Sequence, residues 1–471
     1  MTPWRKNPIP RWRAPSIALR SLLLAVLLLV PCQLLAPGEK CAASPRPIHL
    51  GEYAEILKTA PATFPQISAS PQTTPADLLA QADEVLRQIS ETIGLPIKRP
   101  LKKQIVSRPE VEKYLTEDLH AEMTPEELHI EEATLQAFGL ASREFNLEKF
   151  LINFYTEQAA GFYDPRRKTM FIADWTTPDM QHLVLAHELT HALQDQSFDL
   201  EKFLRAARSN DDATNARQAV VEGHATAAML QQLTAPLDLG SLPSLEPFMA
   251  QIIHQQFEEF PAFSKAPYFF RLQALFPYLE GLGFMQRGLR LGGWKKLNSL
   301  FEDPPNTTKE IFDPMVYFER KPLPTVSLPP PPQLEKVPRL RLLAQNTLGE
   351  LGYYALLGQL LSEEAAKSVG RGWLADRYIL YEGPEAKTYT LVARTRWSTS
   401  ETALGFFRDY HAILAQKYPE LTPDSRSTGD LFIGKTARGQ VILLRQGDEV
   451  LWAEGMPPAQ ADAVLNWLRS L

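Results

Sequence analysis

The sequence predicts an α+β fold in which a mainly helical domain with a small β-hairpin precedes a smaller C-terminal α+β unit. Three observations support this prediction. Apolar residues recur at intervals of three and four through much of the first third of the chain, as on helices that bury one face. Two short apolar segments flank a turn near residue 165, and strand-like segments alternate with helical ones in the last third. With 44% hydrophobic and 22% charged residues, the 471-residue chain is globular.

Residues 1–43 have the charge pattern of a secretory signal peptide. Five basic residues precede the apolar run "SLLLAVLLLV", which meets Pro31 well before the roughly 20 apolar residues that a membrane-spanning helix needs. Small residues at Cys41 and Ala43 favour cleavage after Ala43, while an uncleaved membrane anchor and a lipoprotein signal using Cys32 are the alternatives. We therefore expect a periplasmic or extracellular protein, held at a membrane only through an uncleaved signal, whose mature chain lacks cysteine.

A linker and then the first helices are predicted after the signal. Residues 44–75 are rich in Pro, Ser and Thr and show no periodicity, which indicates a linker. Helices are predicted in "PADLLAQADEVLRQISETIGL", "SRPEVEKYLTEDL" and "TPEELHIEEATLQAFGL", each with proline in its first turn. "AAGFYDPRRKTMFIAD" predicts two strands around the turn Asp164–Arg167. A helix capped by Thr177 should run from Pro178 to about Gln196, and another covers "ATNARQAVVEGHATAAMLQQL".

The rest of the chain completes the first domain and adds a second unit. Further helices between Leu245 and Leu300 belong to a first domain of residues 76–328, and a proline-rich connection covers residues 329–345. The C-terminal unit, residues 346–471, should contain an alanine- and leucine-rich helix near Asn346 to Lys367. Its remaining predicted elements are strands in "RYILYEG", "TYTLVART" and "GQVILLRQGDEVLWAEG", and helices at about Ser400 to Lys417 and Pro458 to Leu468.

The segment "HELTH" places His187 and His191 four residues apart inside the predicted helix. Four residues make slightly more than one helical turn, so both imidazoles project from one face and can converge on one metal ion. A catalytic Zn²⁺ takes three protein ligands and a water in tetrahedral geometry. Glu188 is then placed to take a proton from that water as general base. A buried helix whose histidines bond to backbone carbonyls is the alternative without metal.

The third ligand must come from outside the "HELTH" segment, and the sequence offers Glu222, His224, Asp195 and His182. Glu222 is favoured because it interrupts the apolar segment "QAVVEGHATAAML", where Gly223 and several alanines would let this helix approach the first one closely. A buried glutamate needs a partner, although Glu222 could also bridge helices without metal. Asp195, four residues after His191, is better suited to accept a hydrogen bond from a ligand imidazole.

"HELTHALQD" resembles the active-site helix of thermolysin-like metallopeptidases. The ordered set "EQAAGFYDP", "HELTHALQDQSFDL", "VVEGHATAAM", "PYLEGLGFMQRGL", "GGW", "PPNTTKEIFDP" and "GWLADRYILY" is similar to a family of exported bacterial zinc metallopeptidases, from about Leu101 to Phe407. This resemblance implies a zincin-like catalytic domain of the gluzincin type. In that arrangement His187, His191 and Glu222 hold one zinc ion and Glu188 is the catalytic acid and base.

Two positions depart from the family pattern. The family has EGDA where this chain has Glu222 to Ala225 with His224 in the third place, and a histidine where this chain has Asp313 before proline. Neither departure affects the expected ligands. A histidine at position 224 in place of aspartate is instead expected to alter contacts around the ligands or the transition state, which favours reduced activity. It mildly favours the alternative function, a catalytically impaired pseudopeptidase that binds a partner in the cell envelope.

The leading functional hypothesis is a zinc-dependent peptidase, with endopeptidase preferred to aminopeptidase activity. A peptide or protein substrate could pair with an edge strand near Thr169 to Ile172, and Tyr163 or His224 could stabilise the oxyanion. The net charge of −6 and the absence of a basic, aromatic-rich patch argue against a nucleic-acid partner. The sequence leaves the oligomeric state, the cleavage preference and the role of the C-terminal unit open.

Overall fold

The computed structural model describes residues 75–175, 178–247, 249–250 and 260–471, and these form a mixed α+β protein, as predicted. The predicted signal peptide, nearly all of the predicted linker and the predicted cap Thr177 lie outside these residues. Among the helices in the described ranges, none has the length and apolarity that crossing a membrane requires.

The described chain begins with helices around one short strand: α1 (Pro75–Ile93), β1 (Lys102–Val106), α2 (Arg108–Glu122), α3 (Pro125–Phe138) and α4 (Leu147–Gln158). The predictions for α1, α2 and α3 are confirmed, whereas α4 and β1 were not predicted individually. Local chemistry explains α3, because Thr124 and Glu127 exchange side-chain and backbone hydrogen bonds at its start and Gly139 ends it in the left-handed conformation.

A three-stranded sheet lies next to the helix that carries the "HELTH" segment. Its predicted hairpin consists of β2 (Gly161–Asp164) and β3 (Thr169–Ala173), and β1 pairs with β3 in parallel, giving the order β1-β3-β2. β3 is therefore the central strand, and the prediction that Thr169 to Ile172 offers a free edge is wrong. That edge is occupied by β1, whose opening residues Lys102 and Lys103 hide its strand character in the sequence.

The helical region, which is the described chain from α1 to α11, is centred on long helices and their short neighbours: α5 (Pro178–Phe198), α6 (Leu200–Arg205), α7 (Asp211–Thr234), α8 (Pro261–Ser264), α9 (Tyr268–Asn298), α10 (Thr308–Phe312) and α11 (Pro314–Phe318). α9 is interrupted by non-helical backbone at Gly292 and Gly293. Gly223 of α7 packs against Gly281 of α9, where an added β-carbon would lie 2.6 Å from the Gly281 carbonyl carbon. Gly223 therefore allows α9 to approach α7 closely, whereas the prediction was a close approach of α5. α5 also packs on α7.

The C-terminal unit is a seven-stranded antiparallel sheet with helices. Its elements are β4 (Arg341–Asn346), α12 (Gly349–Leu360), α13 (Glu363–Ser368), β5 (Trp373–Glu382), β6 (Tyr389–Trp397), α14 (Ser400–Lys417), β7 (Thr422–Pro423), β8 (Leu431–Thr436), β9 (Gly439–Gln446), β10 (Glu449–Met456) and α15 (Ala461–Arg469). The strand order in the sheet is β4-β5-β6-β10-β9-β8-β7. The single helix predicted near Asn346 to Lys367 is two helices, because the chain turns at Leu361 and Ser362 caps the second one. β4, β7 and β8 were not predicted.

A buried polar junction joins the helical region to the C-terminal unit, where the backbone N–H of Leu351 donates to the hydroxyl of Thr308 at 3.1 Å. Asp212 of α7 accepts a hydrogen bond from the Thr308 backbone N–H at 2.9 Å and a second one from its hydroxyl. Asp376 of β5 accepts hydrogen bonds from the backbone N–H groups of Leu348 and Gly349. Burial raises the pKa of Asp212 to about 7 and that of Asp376 to about 6. These two carboxyl groups therefore keep a proton to higher pH in the folded chain than in the unfolded chain.

Candidate metal centre

α5 and α7 bring three donor atoms together in the interior. The Nε2 atoms of His187 and His191 lie 3.0 Å apart, and Oε2 of Glu222 lies 3.1 Å from the first and 3.2 Å from the second. Ligand atoms bound tetrahedrally to zinc at its usual bond lengths are separated by roughly 3.3 Å. The three side chains are wholly buried, with 0% exposure. The donor set therefore fits one zinc ion in chemistry and spacing.

Glu188 lies next to this triangle, and one of its carboxylate oxygens is held by the sheet. Its Oε2 accepts a hydrogen bond of 2.8 Å from the backbone N–H of Tyr163 in β2. Its Oε1 is buried and has no hydrogen-bond partner among the described residues. Burial raises the pKa of Glu188 to about 8, and the negative Glu222 adds to this, while His191 and the Tyr163 N–H act in the opposite direction. Together with His187 and His191 it forms a compact group that could hold a metal.

When no metal is bound, electrostatics in the triangle favour one additional proton on His191, next to the negative charge of Glu222. Burial lowers the pKa of His187 to about 4. Burial also opposes a charge on His191, but the negative charge and hydrogen bond of Glu222 outweigh it and raise the pKa of His191 to about 9. Although burial alone would raise the pKa of Glu222, the two histidines hold it well below its usual range. A divalent cation bound here would compete with that proton.

Behind His191, a chain of hydrogen-bonded side chains leads away from the triangle. Nδ1 of His191 lies 2.8 Å from Oε1 of Gln194, and Nε2 of Gln194 lies 3.1 Å from Nδ1 of His224. Nε2 of His224 in turn lies 3.0 Å from Oδ1 of Asn298. Burial lowers the pKa of His224 to about 4. Both nitrogens of His224 face these amides, a position that does not support the predicted contact with a substrate oxyanion.

Tyr163 and Asp195 form a second polar group, separate from the triangle. The Tyr163 hydroxyl donates to Oδ2 of Asp195 at 2.8 Å, and Asp195 also pairs with Lys168 at 2.8 Å and Arg99 at 3.1 Å. Burial raises the pKa of the Tyr163 phenol. The prediction that Asp195 orients a ligand imidazole is wrong, because its carboxylate turns to the cations beside the hairpin and Gln194 contacts His191 instead. Tyr163 contacts Glu188 through its backbone N–H, while its phenol bonds to Asp195.

Two further contacts of Glu222 were not predicted. Gln218, one helical turn earlier, donates to Oε1 of Glu222 at 2.7 Å. The wholly buried phenol of Tyr278 in α9 also hydrogen-bonds to Glu222, and its ring centroid lies 6.0 Å from that of His187. The four-residue spacing of Gln218 and Glu222 is a usable sequence signal for the first contact. Tyr278 lies in the aromatic-rich segment "APYFFRLQALFPYLEG", where the spacing of the aromatic residues does not distinguish a polar contact from the apolar core. The side chain of His182 is outside the described part of the chain.

A cavity reaches Glu222 from between α4 and α9. Its lining is mainly apolar and includes Leu151 and Phe154 from α4 and Ala274 and Pro277 from α9. The polar side chains that line it are Glu131, Gln218, Glu222, Gln273 and Tyr278. A confined apolar space with a few polar groups is typical of sites that bind small molecules or side chains. The cavity therefore connects the donor triangle to a space suited to an apolar group.

Two segments of the chain match models of known families. Residues 143–230, from just before α4 almost to the end of α7, match the model of the IrrE N-terminal-like domain, a peptidase family. Residues 339–465 match a domain of unknown function (DUF8575). Searches of curated proteins and of solved structures returned no match. The first match and the buried His187–Glu188–His191 group together support a metallopeptidase-like domain in this part of the chain.

Proposed function

We propose that the protein is a zinc-dependent peptidase with the gluzincin ligand set His187, His191 and Glu222. The observation that carries this proposal is the position of Oε2 of Glu222, within 3.1 and 3.2 Å of the two imidazole nitrogens. Glu222 lies on another helix, so local helix geometry cannot explain the convergence of all three atoms. A charged carboxylate and two imidazoles at 0% exposure would be costly to bury for packing alone.

Glu188 supplies the acid–base chemistry in this proposal. Zinc, when bound, is a Lewis acid that lowers the pKa of a coordinated water. The Tyr163 N–H holds Oε2 of Glu188, which leaves Oε1 to receive a proton from the attacking water and to return it to the leaving amine. The cavity between α4 and α9 would accept an apolar side chain of a peptide or protein substrate. We further propose export, with cleavage after Ala43.

The test combines metal content with hydrolysis. We expect the mature protein to contain one zinc ion per chain and to hydrolyse an unstructured protein such as casein. Glu188→Gln should keep the metal and lose about 10²- to 10⁴-fold in rate. Glu350→Gln is a matched control, because Glu350 is also a buried carboxyl group whose pKa is raised to about 8, but it lies at the junction with the C-terminal unit. A protein that binds no zinc when zinc is supplied contradicts the proposal.

A second candidate function is a metal-bearing pseudopeptidase that binds a partner. The observation that favours it is the complete burial of His187, Glu188, His191 and Glu222, each with 0% exposure, which leaves these side chains no solvent-exposed surface in this conformation. This candidate predicts bound zinc without hydrolysis of casein or of short peptides with varied side chains. Hydrolysis that depends on Glu188 would exclude it.

A further inference from the structure

We propose that Asn298, His224 and Gln194 are positioning residues that fix the tautomer and ring orientation of His191, so that its Nε2 faces the metal. We call these three side chains the relay. This inference rests on the proposed zinc site and assigns His224 a role behind a ligand. It also explains why a histidine can occupy position 224, where the family pattern has aspartate, without contacting substrate.

Two backbone carbonyls, one at each amide of the relay, determine the direction of its hydrogen bonds. The amide of Gln194 contacts the carbonyl of Val221 at 3.0 Å, and the amide of Asn298 contacts that of Ile93 at 2.9 Å. A carbonyl oxygen only accepts hydrogen bonds, so the NH₂ group of each amide must point to it. The side-chain oxygen of Gln194 therefore faces His191, and that of Asn298 faces His224.

The ring protons follow from these orientations. Because the Asn298 oxygen accepts, Nε2 of His224 carries a hydrogen, and Nδ1 of His224 accepts the second N–H of Gln194. Because the Gln194 oxygen also accepts, Nδ1 of His191 must carry a hydrogen. The opposite tautomer would place two lone pairs 2.8 Å apart in the interior. In the neutral ring that binds a metal, the lone pair is then on Nε2, which faces Glu222.

Packing holds the relay rigidly. His224 has 0% exposure, and its ring meets those of Trp294 and Phe301 edge-on, each with centroids 5.5 Å away. The relay connects α5, α7 and the last turn of α9, which lies beyond the interruption at Gly292 and Gly293. In contrast, Nδ1 of His187 has no hydrogen-bond partner among the described residues. The relay therefore acts on one of the two imidazoles.

The test measures zinc affinity by competition with a chelator, for the full mature protein and for four variants. Gln194→Leu removes the acceptor beside His191, and we expect zinc affinity to fall about 10- to 100-fold. Asn298→Leu acts through two intervening side chains and should lower zinc affinity about 10-fold. Asn298→Asp in its protonated form keeps the acceptor for His224 and a donor for the Ile93 carbonyl, so it should lose less affinity than Asn298→Leu. Gln196→Leu is the matched control, because Gln196 is a buried glutamine of α5 that bonds to the backbone of Lys98 and Arg99.

A spectroscopic measurement separates positioning from general destabilisation. In the zinc-loaded protein, the Nδ1–H proton of His191 should exchange slowly with water, and Gln194→Leu should make it exchange fast, whatever the stability of the metal-free variant. Unchanged affinity or slow exchange in Gln194→Leu overturns the relay, and so does an equal loss of affinity in Gln196→Leu. If the wild-type protein binds no zinc, the proposed function fails; if it binds zinc and the relay variants match it, only the relay fails.

Discussion

Replacing Gly223 by alanine tests the backbone contact that holds the helix of Glu222 against α9. A β-carbon at this position would lie 2.6 Å from the carbonyl carbon, 2.7 Å from the carbonyl oxygen and 2.9 Å from the α-carbon of Gly281. These are backbone atoms inside a helix, so no change of rotamer relieves the overlap. The helices must separate by roughly 0.8 Å before ordinary contact, which begins near 3.4 Å, is restored.

Two opposing effects determine how much Gly223→Ala changes the free energy of unfolding. Alanine in place of glycine inside a helix stabilises it by up to about 1 kcal/mol. Overpacking of a well-packed interior costs about 1–3 kcal/mol, and a backbone neighbour places this site near the upper end. We therefore expect Gly223→Ala to lower the free energy of unfolding by about 1–2 kcal/mol. Gly283→Ala is the matched control, because among the described residues its β-carbon would meet only the carboxylate end of Glu246, at 3.3 Å, and the change should leave stability unchanged or raised.

Urea unfolding of the metal-free protein measures the change in the free energy of unfolding. Zinc affinity measures whether the separation of α7 from α9 displaces Glu222, the residue before Gly223. We expect Gly223→Ala to weaken zinc binding and Gly283→Ala to leave it unchanged. Equal free energies of unfolding for the two variants would refute the close contact between α7 and α9. Lower stability with unchanged zinc affinity would show that Glu222 does not depend on that contact.

Three further predictions follow from the described contacts. Tyr278→Phe removes a buried hydroxyl that hydrogen-bonds to the proposed ligand Glu222, so we expect zinc affinity to fall roughly 10-fold; wild-type affinity would contradict this. Because burial raises the pKa of Asp212 to about 7, the folded chain keeps a proton that the unfolded chain loses near pH 4. The free energy of unfolding should then fall by up to about 1.4 kcal/mol per pH unit as pH rises from about 4 to about 7. Asp212→Asn should flatten this dependence of stability on pH, as measured by thermal unfolding at several pH values. Ala274→Phe fills the apolar cavity, so cleavage of peptides with large apolar side chains should decline more than that of alanine-rich peptides, and equal declines would exclude the cavity as a substrate site.

The sequence predicted those features whose causes are local. Helix α5 and its paired histidines follow from the helical period, and the hairpin follows from the turn residues at Asp164–Arg167. The parallel pairing of β1 with β3 could not be read in this way, because it joins Lys102 to Thr169 across an intervening group of helices. The contact of His224 with Asn298 likewise depends on how α9 ends after its interruption, which no local pattern encodes.

The asymmetry between the two imidazoles has its origin in the helix that carries them. Residues three positions apart in a helix lie on one face. The residue three positions after His191 is Gln194, whose oxygen reaches Nδ1 of the ring. The residue three positions after His187 is Thr190, whose hydroxyl instead bonds to the backbone carbonyl of Ala186 at 2.9 Å. Of these two equivalent positions, only Gln194 supplies a partner for Nδ1 of an imidazole. The ring of His187 is instead held by the contact of its Nε2 with Glu222 at 3.1 Å and by its neighbours His191 and Tyr278.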